Sequence, residues 1–222
     1  MTGAPRTPVL VRPSWRIPAL VVVAVCAATT AVLGVRYHGQ DEPGRLDALV
    51  DPNIVVTSSS AEGALRPLIL LGSPAVIALL VAGIAGWAAT QRWWSAAALA
   101  VLGPGLAAVS TEFLLKPLVG RTLDGDLAFP SGHAVRVAAV SVVVLVLLVA
   151  GHRPRHRPAR IAIGSAAVLL PACAAYALVA LTWHYTTDAI GGVLVAVAVV
   201  IAIALVLDAG VGSFSARSRS FL

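Results

Sequence analysis

"PSGHAVRVAAVSVVVLVLLVA", residues 130–150, opens on a proline, a serine, a glycine and a histidine and then runs almost unbroken through apolar side chains. The apolar part, Gly132 to Ala150, is close to the ~20 residues that cross ~30 Å of hydrocarbon at ~1.5 Å each. Five more runs of similar length flank it: Ile17 to Val35, Pro67 to Ala89, Ser95 to about Leu118, Ile161 to about Leu181, and Thr187 to Leu207. In the third, Gly103-Pro104-Gly105 predicts a kink in mid-helix. The chain has 222 residues, 59% of them hydrophobic and 12% charged. A soluble domain carries roughly twice that charged share. Lipid offers the backbone no hydrogen bonds, so spans of this kind are helices. The expected fold is an all-α integral membrane protein, a bundle of six transmembrane helices.

The first run follows a basic flank, "RTPVLVRPSWR", as a signal peptide would. It is longer than a signal's apolar region and no small-residue cleavage site closes it, so a retained helix is expected. The organisation expected is a cytoplasmic tail over 1–16, the helical domain over 17–207 and a second cytoplasmic tail over 208–222. Arg6, Arg12, Arg16, Arg92, Arg153, Arg155, Arg157, Arg160, Arg217 and Arg219 all fall on one side of six spans. The positive-inside rule makes that side the cytoplasm, with both termini there and a plasma-membrane location. The net charge of +6 is therefore an orientation signal, and no nucleic-acid partner is implied. Cys26 and Cys173 lie in apolar runs and read as small packing residues.

Two polar clusters share the opposite face. One is "EFLLKPLVGRTLDGDLAFPSGHAVR", from Glu112 to Arg136; the other is "LTWHYTTDAIGG", from Leu181 to Gly192. Lys116 is the only lysine and has Glu112 one turn before it, a spacing that allows an ion pair. Ser131 and Gly132 open a helix whose first N–H groups lack partners, and such an opening seats anions. His184 and Asp188, four apart, can share one helical face, the carboxylate orienting one ring nitrogen and leaving the other free. An anion seat, cations and two histidines suit phosphoryl transfer through a phosphohistidine, one imidazole attacking and the other protonating the leaving oxygen.

These residues resemble the type 2 phosphatidic acid phosphatases, integral-membrane relatives of the vanadium haloperoxidases. That family carries K-x6-R-P, P-S-G-H and S-R-x5-H-x3-D. Pro130, Ser131, Gly132 and His133 match the second motif, and His184 with Asp188 the end of the third. The resemblance implies His184 as nucleophile, His133 as general acid and Asp188 as the group that orients His184. It implies phosphate binding by Lys116, Arg121, Ser131 and Gly132, with neither metal nor cofactor. The substrates it suggests are lipid or polyprenyl-linked phosphates, monoester or diphosphate. The sequence also departs from the family. Leu123 and Asp124 stand where the first motif has Arg-Pro, and Ala177 and Leu178 where the third has Ser-Arg. Arg136, one turn after His133, is expected to replace a missing phosphate-binding arginine. Two other readings remain open: a non-catalytic member that binds lipid phosphate, and a small transporter using His and Asp.

Overall fold

The structure, a computed structural model, describes residues 9–151, 154 and 156–217. Of the arginines that set the expected orientation, Arg6, Arg153, Arg155 and Arg219 lie outside these residues. The described helices are α1 (Arg16–Arg36), α2 (Arg45–Val50), α3 (Ser59–Leu70), α4 (Pro74–Thr90), α5 (Trp94–Ser110), α6 (Lys116–Val119), α7 (Gly132–Ala150), α8 (Arg157–Ala180) and α9 (Thr186–Arg217). A π-helical segment, Thr111–Leu115, joins α5 to α6. Among the described residues five helices are long and apolar enough to span a membrane. The bent pair α3–α4, taken as one broken span, would bring the number to six.

That bent pair corrects the second expected run. The span starts at Ser59, eight residues before Pro67, and is bent by 44° at Leu71–Ser73. The local chemistry explains the break. Pro74 takes the first helical position, where its missing N–H costs nothing. Ser73 precedes it as N-cap, its hydroxyl accepting from the Val76 amide at 3.5 Å. The kink expected at 103–105 does not interrupt α5, which runs unbroken through Pro104 to Ser110. The irregular turn lies just beyond, in the π segment. The last helix also outruns its expected end at Leu207, continuing to Arg217.

α7 and α9 form the centre, α9 packing on α1, α5, α7 and α8. The interface is made of small residues, as expected where lipid is as apolar as the helix surface. Ala134, Ala138, Ala139, Ala196 and Ala204 are all buried there. The closest approach is at the helix starts. A methyl on Gly192 would lie 2.7 Å from the Ser131 carbonyl oxygen, and one on Gly191 2.5 Å from the Phe129 ring. The Gly-Gly step therefore lets the Pro-Ser-Gly-His turn rest directly on the start of α9. Large aliphatic side chains point outward, among them Ile17, Val25, Leu79, Val109 and Leu169. At the other end of the bundle, the Asp208 carboxylate accepts the amides of Leu10 and Val11 at 2.9 and 2.7 Å. Part of the expected N-terminal tail is thus packed against the bundle.

Candidate active site

Three connections meet at the end of the bundle away from Asp208: residues 37–58, 120–131 and 181–185. Backbone bonds join them, Gly39 to Val119, Thr122 to Gln40 and Val56 to Ala180. Gly120, at φ +63°, ends α6 in the left-handed region and turns the chain inward. A hairpin of two-residue strands follows, Thr122–Leu123 and Asp126–Leu127, closed by Asp124 and Gly125, both at positive φ. An Asp-Gly step suits such a turn. The hairpin occupies the positions where the first family motif carries Arg-Pro. In place of a cation, Asp124 and Asp126 line the cleft beneath it.

The cleft has a volume of about 830 Å³, and Lys116, His133 and His184 share its wall with Glu112. Two sequence clusters separated by some fifty residues therefore converge as expected. His184 lies in the turn that precedes α9, just before the expected start of the last span. Its Nδ1 lies 3.7 Å from Asp188 Oδ2. That is longer than a hydrogen bond, and pairs of this kind tighten when substrate arrives. The nitrogen is buried with no other partner.

His133 packs edge-on against Trp183, with ring centroids 5.9 Å apart. An Arg136 Nη lies 3.3 Å from its Nδ1. Guanidinium only donates, so that contact assigns an unprotonated Nδ1 and a ring proton on Nε2. The Arg136 Nε donates to the Gly72 carbonyl at 2.7 Å. That carbonyl belongs to the α3–α4 break, where no helical N–H competes for it. Arg136 also reaches Glu112, at 3.6 Å, and Glu112 reaches Lys116 at 3.0 Å.

Ser131 is fully buried and faces inward. Its hydroxyl caps α7 by accepting from Ala134 N at 3.4 Å, and its amide donates to the Asp188 carbonyl at 3.0 Å. It ties the two helix starts together, and neither group is turned to the cleft. Gly132 does border the site: a methyl there would overlap the Glu112 carboxylate.

Arg121 departs furthest from its expected role. It is fully buried, donating to Asp188 Oδ1 and Asp47 Oδ2 at 2.7 Å each and to the Thr187 hydroxyl at 2.7 Å. Its guanidinium is sandwiched between Tyr37 and Tyr185, 4.2 and 4.3 Å from the ring centroids. A cation committed in this way cannot also reach a phosphate in the cleft. It holds the carboxylate behind His184.

Asp47 was not singled out by the sequence, where "DEPGRLDALVDP" reads as a short surface helix. It is fully buried on α2. Its carboxylate accepts the Thr187 amide at 2.8 Å, the Gly44 amide at 2.9 Å and Arg121. Asp51 sits next to this group and accepts the Thr186 hydroxyl at 2.6 Å. Burial pushes its pKa above the usual carboxylate range, against the lowering effect of that bond. Tyr185 donates its hydroxyl to the Asp41 carbonyl, and burial raises its pKa although Arg121 opposes the shift. Among the described residues no group of three or more His, Cys, Asp or Glu is gathered to hold a metal ion.

No curated protein matches the chain. Among solved structures, the fold is similar to the first transmembrane PAP2 type phosphatidylglycerolphosphate phosphatase from Bacillus subtilis, with a TM-score of 0.66. The identity is 18%, and the match covers 88% of this chain and 96% of that one. At that identity the likeness speaks for the fold. The PAP2 superfamily model matches residues 98–210, a stretch that contains Lys116, the Pro-Ser-Gly-His turn, His184 and Asp188. With more than half of its length matched in this way, the chain belongs to the PAP2 superfamily.

Proposed function

We propose that the protein is a membrane phosphatase that hydrolyses a lipid or polyprenyl-linked phosphate, monoester or diphosphate, at the extracytoplasmic face. The observation that carries this reading is the convergence of His184, backed by a buried Asp188, with His133 and Lys116 on one cleft. In the first step His133, having taken up a proton to become imidazolium, gives its Nε2 proton to the leaving oxygen as His184 Nε2 attacks phosphorus and the bond from phosphorus to that oxygen breaks. In the second, water attacks the phosphohistidine, the P–N bond breaks, and His133 takes the water's proton as inorganic phosphate forms. Lys116 and Arg136 stabilise charge on the equatorial oxygens. Asp188 orients His184, and Arg121 orients Asp188. The lipid tails stay in the outer leaflet, against the aliphatic faces of the bundle.

The test uses sealed right-side-out vesicles carrying the protein and a short-chain lipid phosphate that does not cross membranes. Phosphate release outside is expected, blocked by vanadate and insensitive to chelator. His184→Ala should abolish release while leaving thermal unfolding unchanged. Turnover by His184→Ala, or release only from inside-out vesicles, would contradict the nucleophile or the sidedness. Phosphate binding without any release would instead support the non-catalytic reading, which the Glu112 carboxylate at the phosphate seat favours.

A further inference from the structure

Glu112 is where the cations of the cleft meet. Its Oε2 lies 3.0 Å from Lys116 Nζ, and its Oε1 3.6 Å from an Arg136 Nη. The same Oε1 occupies the space that a β-carbon on Gly132 would take, on the first turn of α7. Three features that would receive a phosphate are thus directed at one carboxylate: an ammonium, a guanidinium and the positive end of a 19-residue helix. The carboxylate is delivered from the π-helical segment, whose widened turn carries Glu112. π segments inside α-helices are found often at functional sites. The side chain is still 35% exposed and the Lys116 and Arg136 side chains 15% and 14%. A ring of charges at the edge of an open cleft can exchange one partner for another.

We infer that Glu112 is a resident anion, holding the phosphate seat of the empty protein and giving it up to the substrate. In the empty cleft it keeps two cations from repelling each other and holds them facing Gly132. A phosphate carrying close to two negative charges outbids a single carboxylate for the same partners, and Glu112 swings toward solvent. When inorganic phosphate is formed, the returning carboxylate competes with it and speeds its departure. The inference deepens the phosphatase reading and rests on it for the identity of the incoming anion.

The test is the affinity of the full-length protein in detergent for inorganic phosphate, measured by titration calorimetry in wild type, Glu112→Gln and Glu112→Asp. Removing a like charge from the seat should tighten phosphate binding about tenfold or more in Glu112→Gln. Glu112→Asp, which keeps the charge but withdraws it by one methylene, should tighten it by a smaller factor. This second variant carries the test if the first does not fold. On a lipid phosphate, Glu112→Gln should lower KM and kcat together, because product is held longer; a merely structural role would lower kcat and raise KM. Unchanged or weaker phosphate binding in the variants overturns the inference. So does a failure of both wild type and variants to bind phosphate, which removes the anion seat itself. Tightening without any hydrolysis by wild type would sustain the resident anion and reject the phosphatase.

Discussion

The cleft lies between two charge clusters of opposite design. Behind His184, one guanidinium stands between two carboxylates, Asp47–Arg121–Asp188, at 2.7 Å on each side and with no exposure at any of the three. In front of His133, one carboxylate stands between two cations, Lys116–Glu112–Arg136, at 3.0 and 3.6 Å and partly open to solvent. The first carries a formal charge of minus one and the second plus one. A closed cluster of minus one behind an imidazole favours an orienting carboxylate. An open cluster of plus one favours an incoming anion. Buried, paired charges hold geometry, because breaking them strands an ion away from water. Partly exposed pairs are less costly to rearrange than fully buried ones.

The largest effect expected from this contrast is at Arg121. Arg121→Met leaves two buried carboxylates facing each other without a cation. Unfolding in detergent should show a loss of about 3–5 kcal/mol, the scale for one missing partner of a buried pair. Wild-type stability in this variant would break the comparison. Asp47→Asn sharpens it, because it spares Arg121 and Asp188 yet removes the net negative charge behind His184. kcat should fall by about ten- to hundredfold, as for other outer-shell partners of a reacting group, with KM little changed. If only the melting temperature moved, the cluster would be scaffolding alone. In the open cluster the balance reverses. Arg136→Leu should cost turnover about 10²-fold, near 3 kcal/mol of transition-state stabilisation, with a smaller loss of stability than Arg121→Met. Arg136→Lys should recover part of the rate, since it restores the charge without the fork.

The spans were legible because membrane helices announce themselves by length and apolarity, and the Pro-Ser-Gly-His and H-x3-D patterns located both histidines. The break at Leu71–Ser73 was also written in the sequence, as Gly72, Ser73 and Pro74 in succession, but apolar continuity concealed it. Arg121 misled because the Gly120-Arg121 pair was matched to the phosphate-binding end of the first family motif. The left-handed turn at Gly120 separates its direction from that of Lys116, and only the fold reveals that. Asp47 had no legible signal. It is one of several acidic residues in a polar connection, and its burial depends on α2 folding over the start of α9. Glu112 was visible as a partner for Lys116, but its approach to Gly132 requires two helices that the sequence does not pair.

The contact between Asp208 and the amides of Leu10 and Val11 joins residues 198 and 197 apart in the chain. α1 likewise makes its main helix contact with α9. During synthesis the first helix therefore enters the bilayer long before its partner exists. The arrival of the last helix gives it its largest packed surface, so the bundle closes like a ring whose clasp is made last. A ribosome halted before α9 would leave α1 without its main partner in the bundle.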